Sequence, residues 1–548
     1  MTEKYPHYLQ RLENATRDYW DKKALNYIGG RSYTFGQMAA RIEKFHIFFD
    51  AIGLGHGDHV ALCAHNGARW GMSYMAVVTN DTVVVPILAD FLPDAIEHLV
   101  QHSDAVGFFT TADKWAKMDI SHVPALRFVI DIDDWALLYS ADESITKAYE
   151  EKDAAFEAKF PAGFGPQDAV YKKGEMDSLA MINYTSGSTG TPKGVMLTNR
   201  NFSATVDYCQ HKVPAGPQYS MVSMLPMAHM YGLVIEFIYP VCNGSAIYWL
   251  GKTPTPAALM KAFAEVKPHL LITVPLVIEK IFKAKIKPTV EKPLVKFLCK
   301  IPGIRQIIFS KIRNGLLEAF GGEVFEFIFG GAAINPEVEN WLHAIKFPYS
   351  VGYGMTEANP LLAYDYHTVY VKGSCGRAVD CTTVRVDSAD PAHVVGEIQA
   401  KGDNICIGYY KNEEATAAAF TPDGYLKTGD LGIIAPDGSI FLKGRSKSMI
   451  LGPSGQNIYP EEVEAVVNNQ PYVLESVVVD REGKLVALVF PDAAAIEKDA
   501  FDAETLPELI RSGANKSLPA YSQLSKVELR EEAFEKTPKM SIKRFLYS

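Results

Sequence analysis

HVALCAHNGARWGMSYMAVVTNDTVVVPIL, residues 59–88, reads as one structural unit. HVALCA (59–64) is a short apolar run, Gly67–Val78 has helical character, and the β-branched TVVVPIL (82–88) closes the unit. Short apolar strands separated by a helix are the mark of parallel sheet built from right-handed crossovers. The alternation continues outward. Pro93 to His102 is a helix pattern, followed by AVGFFTT (105–111) and LRFVIDI (126–132). Then come SMVSMLP (220–226), a helix after His229, SAIYWL (245–250), a helix after Thr255, and LLITVP (270–275). The first four-fifths of the chain therefore predicts an α/β architecture.

Near Gly373 the texture changes. TTVRVD, VVGEIQA and GYLKTGDLGIIAPDGSIFLKGR are short strands with turn residues between them, and Asp437-Gly438 signals a tight hairpin. A small β-rich subdomain is expected there. From about Ser446 a third texture begins. SKSMIL reads as a strand, PEEVEAVVNN as a helix with Pro460 and two acids in its first turn, and ESVVVDREGKLVALVF as a hairpin. The expected division is residues 1–446 as a large N-terminal domain and 447–548 as a small, mobile α+β domain.

Composition excludes several classes. The chain has 548 residues, 48% hydrophobic and 22% charged, as an ordinary globular protein of more than one domain does. Its net charge of −10 leaves no global footprint for nucleic acid. The seven cysteines lack metal-type spacing and read as reduced thiols. No apolar run is long enough for a bilayer, the best candidate, Leu233 to Cys242, being short and carrying Glu236. A soluble, cytoplasmic protein is the expectation.

The strongest local signal is the segment Tyr184 to Gly194, YTSGSTGTPKG, after the apolar run LAMIN. Its glycines, Gly187 and Gly190, let a backbone wrap phosphate oxygens. The hydroxyls of Thr185, Ser186, Ser188 and Thr189 add donors, and Lys193 adds a cation. Pro192 before the lysine separates it from the usual nucleotide-hydrolase loop.

This segment resembles the phosphate-binding signature of the adenylate-forming (AMP-binding) superfamily, which includes acyl-CoA synthetases, peptide-synthetase adenylation domains and firefly luciferase. The resemblance continues in order through LPMAHMYG (225–232), FGGAAI (329–334), VGYGMTEANP (351–360), LKTGDLG (426–432) and GRSKSMILGPSGQNIYPEEVE (444–464). It implies ATP, Mg²⁺ and coenzyme A as the bound species. Gly331, Ala332 and Ala333 would lie beside the adenine, with Tyr353 and Gly354 on its other side. Thr356 would bond a phosphate oxygen and Glu357 would hold Mg²⁺, a hard donor for a hard cation. Asp430 would accept the ribose hydroxyls with Arg445 nearby. His229, Met230, Tyr231 and Gly232 would line or gate the acyl pocket. Lys447 matches the hinge about which the small domain turns between half-reactions, and Gly455 would line the pantetheine path.

The resemblance breaks at one place. In Thr537-Pro-Lys539-Met-Ser541-Ile-Lys543-Arg544 the family's adenylation lysine is expected at Ser541. Either adenylation is weakened, or Lys539 or Lys543 substitutes. In an extended segment these three residues share one face, with roots roughly 6–7 Å apart.

PEEVE and VPLVIEKIFKAKIK (274–287) look like the medium- and long-chain fatty acyl-CoA synthetases. Between Lys280 and Arg313 there are ten Lys/Arg residues and one acid, Glu291, mixed with Phe, Leu and Ile. Such a stretch suits the surface of an anionic membrane, and suits equally a solvated basic face on a core-packed helix pair. A fatty acid–CoA ligase is the leading expectation, with peripheral contact on the inner membrane face and a homodimer as further partner states. An acyl-AMP ligase serving a carrier protein, and a non-catalytic acyl or adenylate binder, stand beside it.

Overall fold

In the computed structural model, residues 4–185, 192–213, 215–251, 256–451, 456–536 and 542–547 are described. The 59–88 unit is a right-handed crossover core. His59–Cys63 and Val83–Pro86 pair in parallel, Val60 opposite Val84, with the helix Ala68–Val78 between them in sequence. That helix buries nearly its whole surface, Trp70 and Tyr74 stacking at 5.5 Å between ring centroids. An all-round apolar helix is stable only inside a layered structure.

These strands are the centre of an eight-stranded sheet. Leu179–Thr185, Val83–Pro86, His59–Cys63, Ala105–Thr110 and Phe128–Asp131 run parallel. The edges depart from the all-parallel expectation. Lys193–Thr198 and Gly408–Tyr409 add antiparallel strands at one edge, and Leu137–Ser140 at the other. The reason is connection length. Only residues 186–192 separate Leu179–Thr185 from Lys193–Thr198, too few for the crossover that a parallel pair needs.

A second sheet joins Ser220–Val222, Ala246–Trp249 and Lys23–Tyr27 in parallel, with Ser32–Thr34 antiparallel. A third holds Leu270–Thr273, Glu326–Phe329 and Tyr349–Val351, all parallel. The α/β reading of the large N-terminal region holds, with the parallel strands shared among three sheets.

The β-rich subdomain is an antiparallel four-stranded sheet of Thr382–Asp387, Gly396–Gly402, Leu426–Ile434 and Ile440–Arg445. Asp437 and Gly438 do form its last turn, Gly438 at φ +88°. After it the expected strand SKSMIL shrinks to Ile450–Leu451, paired with Asn457–Ile458. The helix Pro460–Val467 and the hairpin Val473–Arg481 with Lys484–Pro491 follow as read. Residues from Ile458 onward, with Val463, Val467, Ala487, Val489 and Ile510, gather into a core of their own.

All seven cysteines are free, and all but Cys299 are buried. Among the described residues, no helix is long and apolar enough to cross a membrane.

Candidate active site

A cavity of about 710 Å³ opens between the sheets and the β-rich subdomain. Its lining brings together residues from six of the segments singled out in the sequence: Thr185 and Lys193, His229 and Tyr231, Gly331, Tyr353 to Glu357, Lys427 to Gly429, and Arg445 with Lys447.

The hairpin turned by Asp437-Gly438 sets one wall. Its register runs Ile434 opposite Ile440, Ile433 opposite Phe441 and Gly432 opposite Leu442. A bulge then skips one residue, so Asp430 faces Arg445. Without it Asp430 would face Gly444; the bulge re-aims a side chain, as such irregularities do beside functional sites. Arg445 Nε pairs with Asp430 Oδ1 at 2.7 Å, and the Tyr353 hydroxyl donates to Oδ2 at 2.8 Å. Burial raises the Asp430 carboxyl above its ordinary range, offset by Arg445 and by the Tyr353 hydrogen bond. Burial also lifts the Tyr353 phenol well above its ordinary value, so it is a neutral donor. Each carboxylate oxygen has two acceptor sites, so one on each remains for a further donor.

Gly354 allows the close approach in this wall. A Cβ there would sit 1.8 Å from the Pro360 carbonyl oxygen. Beyond it Thr356–Ala358 forms a single 3₁₀ turn that buries Thr356 and Glu357. Glu357 Oε1 accepts the Tyr409 hydroxyl at 3.0 Å, and its backbone carbonyl accepts Cys406 N–H at 2.8 Å. Lys193 Nζ lies 5.1 Å from the centroid of the same Tyr409 ring. Tyr409 thus joins the carboxylate and the cation of the phosphate end, a role with no signal in the sequence.

The donor chemistry fits ATP with Mg²⁺. Among the described residues, no group of three or more His, Cys, Asp or Glu side chains forms a closed metal cage. Mg²⁺ needs none, since it is held through one or two carboxylates plus phosphate oxygens and water. Glu357 would hold it, beside the hydroxyls of Thr356 and Thr185 and the cation of Lys193. Gly331, at φ +78°, lines the cavity, and Ala332 and Ala333 follow it as exposed residues. Ser186, Gly187, Ser188, Thr189, Gly190, Gly455, Lys539 and Ser541 lie outside the described residues.

The lining also includes buried apolar side chains, Val213, Ile235, Ile328, Leu361 and Tyr364. The helix expected after His229 is a π-helix, Tyr231–Ile238, a widened turn frequent at functional sites. His229 and Tyr231 line the cavity, whereas Met230 is fully buried behind it. Gly232 packs where a Cβ would meet the Pro226 carbonyl oxygen at 2.7 Å. Glu236, on the same π-helix, is fully buried. Its carboxylate accepts the Ser223 hydroxyl at 2.9 Å and the N–H groups of Met224 and Leu225, both at 3.1 Å. This side chain ties the π-helix to the segment leading into His229.

Lys543 is not part of the lining. Its Nζ pairs with Glu535 at 3.2 Å, and its N–H donates to the Glu535 carbonyl. The next residue, Arg544, pairs with Glu464 of the helix Pro460–Val467. Lys447 lies on the cavity rim, in the segment joining the subdomain to the C-terminal core.

The chain belongs to the AMP-binding enzyme family, which matches residues 12–410, with that family's C-terminal domain matching 447–547. It is 30% identical over 510 residues to long-chain-fatty-acid–CoA ligase 4 of Saccharomyces cerevisiae, covering 84% of this chain and 70% of that protein. It is 29% identical to the sulfoacetate–CoA ligase of Cupriavidus necator, covering 88% and 87%. The o-succinylbenzoate–coenzyme A synthetase of Bacillus subtilis, solved in complex with ATP and magnesium ion, superposes with a TM-score of 0.74 at 19% identity, covering 98% of both chains. The coarse activity of the chain is that of an adenylate-forming acyl- or aryl-CoA ligase.

Proposed function

We propose that the chain activates a medium- or long-chain fatty acid through an acyl-adenylate and transfers it to coenzyme A, releasing pyrophosphate and then AMP. The observation that carries this reading is the polarity of one continuous cavity. Its lining carries the charged groups Lys193, Glu357 and Arg445 together with a set of buried apolar walls, Val213, Ile235, Ile328, Leu361 and Tyr364. An acid bearing a second anionic group would need a cation against those apolar walls. A hydrocarbon chain would not, and burying it there contributes about 0.8 kcal/mol per CH₂. The relatives named long-chain-fatty-acid–CoA ligases support the same substrate class.

The residues divide the chemistry. The carboxylate of the acid attacks the α-phosphate of ATP, and charge grows on the phosphate oxygens. Lys193 and the hydroxyls of Thr185 and Thr356 face that charge; Asp430 and Tyr353 fix the ribose and base. Mg²⁺ held by Glu357 would neutralise phosphate charge. The thiol of coenzyme A then attacks the carbonyl and AMP leaves. Lys539 or Lys543 supplies the cation missing at Ser541, brought to the cavity by rotation of residues 447–548 about Lys447. The separate core of the C-terminal residues supports such a rigid-body movement.

Pyrophosphate release across carboxylates from acetate to long-chain acids, with sulfoacetate included, tests the substrate class. The expected profile rises with chain length. A maximum with sulfoacetate or an aromatic acid overturns the fatty-acid reading, and adenylate formation without thioester from free coenzyme A points to a carrier-protein acceptor.

A further inference from the structure

The basic stretch 280–313 does not fold as a core-packed helix pair with only its charges in solvent. After the helical elements Phe282–Ile286 and Lys287–Val290 it forms the short helix Pro293–Leu298 and the long helix Pro302–Ala319. The long helix turns Phe309, Ile312 and Leu316 inward against the core around Phe327 and Phe329. Its opposite side carries Ile307, 70% exposed. On the short helix Leu294 and Phe297 are three residues apart, hence on one face, and are 68% and 62% exposed. Ile301, between the helices, is 40% exposed. Large apolar side chains left out singly need no explanation, but this clustering within one segment does.

The same segment concentrates positive charge. Lys292, Lys296, Lys300, Arg305 and Lys311 are exposed among those side chains, and Glu291 is the only acid from 280 to 313. The rest of the chain is acidic enough to bring the total to −10. An acidic protein is repelled by an anionic bilayer unless a local patch reverses the sign where it touches.

From this pairing of apolar anchors with a basic rim, we infer that the two helices form a face that docks on an anionic lipid bilayer. Leu294, Phe297 and Ile307 enter the acyl boundary, and the lysines stay at the headgroups, their stems alongside the apolar residues. The inference does not depend on which acid is activated.

Co-sedimentation of the full chain with vesicles of phosphatidylcholine, with and without phosphatidylglycerol, tests it. The protein is expected to pellet with the anionic vesicles and to be released by salt. The triple variant K292E/K296E/K300E should bind about 100-fold more weakly. L294S/F297S should weaken binding by about tenfold or more. Both variants should keep solution activity toward a water-soluble acid, since none of these residues lines the cavity. If L294S/F297S loses solution activity through misfolding, the charge-reversal variant decides alone. Absence of vesicle binding by the unmodified chain, or undiminished binding by the triple variant, overturns the proposal. So does a finding by sedimentation velocity that the unmodified chain buries this face in a dimer which L294S/F297S dissolves.

Discussion

The residues around Asp430 and Glu357 and the C-terminal segment around Lys543 solve opposite problems. In the first, two buried carboxylates are each held by neighbours: Asp430 by Arg445 and Tyr353, Glu357 by Tyr409. In the second, Lys543 hangs on an exposed pair with Glu535, while Arg544, Ile542 and Tyr547 hold the segment to its domain. Binding groups that work in one geometry gain from preorganisation. A cation needed in one half-reaction and displaced in the next must be carried by something that moves.

The largest break in this contrast is at the rigid end. Glu357→Gln removes the carboxylate while keeping a group for Tyr409. Carboxylate-dependent pyrophosphate exchange should fall about 1,000-fold, the upper range for loss of one electrostatic group. An exchange rate within threefold of the unmodified enzyme would remove Glu357 from the phosphate site.

At the C-terminal segment the corresponding break is Arg544→Ala. It leaves the nine-tenths-buried Glu464 carboxylate without its partner. Removing one member of a buried pair costs about 3 kcal/mol or more. Differential scanning calorimetry should show that loss in the transition of the C-terminal core, leaving the large region unchanged. A single shifted transition would mean that the two regions unfold as one.

Lys539→Ala and Lys543→Ala sharpen the comparison. The lysine that supplies the missing cation should lose about 100-fold in pyrophosphate exchange. Its rate of thioester formation from preformed acyl-adenylate should be unchanged, because the cation acts in one half-reaction only. Full exchange activity in both variants would sink the substitution idea.

How much was readable in advance follows from the range of each interaction. The crossover at 59–88 was legible because strand and helix periods differ within a few residues. The turn at Asp437-Gly438 was legible for the same reason, but the bulge that aims Arg445 at Asp430 was not, since it depends on pairing across the hairpin. Gly432 marks it: a Cβ there would meet the Phe441 carbonyl oxygen at 2.5 Å. Parallel strands were expected from the alternation before Gly373, yet Lys193–Thr198 turns back, and a strand's direction leaves no trace in its own composition. Tyr409 meets Glu357 across 52 positions, beyond any local pattern. Glu236 was visible only as the flaw in an apolar run; its purpose appears once Ser223 to Leu225 fold against it.

Glu236 also gives the finest test, because it is a fully buried carboxyl held by the Ser223 hydroxyl and the N–H groups of Met224 and Leu225. Burial pushes its pKa up to about 8 from an ordinary 4.5, against the hydrogen bonds from Ser223, Leu225 and Met224. Between those values the folded chain keeps a proton that the unfolded chain has released. Stability from this group is therefore complete below the ordinary value and declines as pH rises toward 8, at no more than ~1.4 kcal/mol per pH unit. Glu236→Gln keeps an acceptor for the same donors but cannot ionise. Its urea midpoint should be flatter from pH 5 to 8 than that of the unmodified chain, and nearly equal to it at the acid end. If the two chains keep parallel pH profiles, the carboxyl does not titrate in that range. The KM for the carboxylic acid separates positioning from plain stability: a Gln variant as stable as the original but with a several-fold higher KM would show that the ionised carboxylate sets the loop before His229.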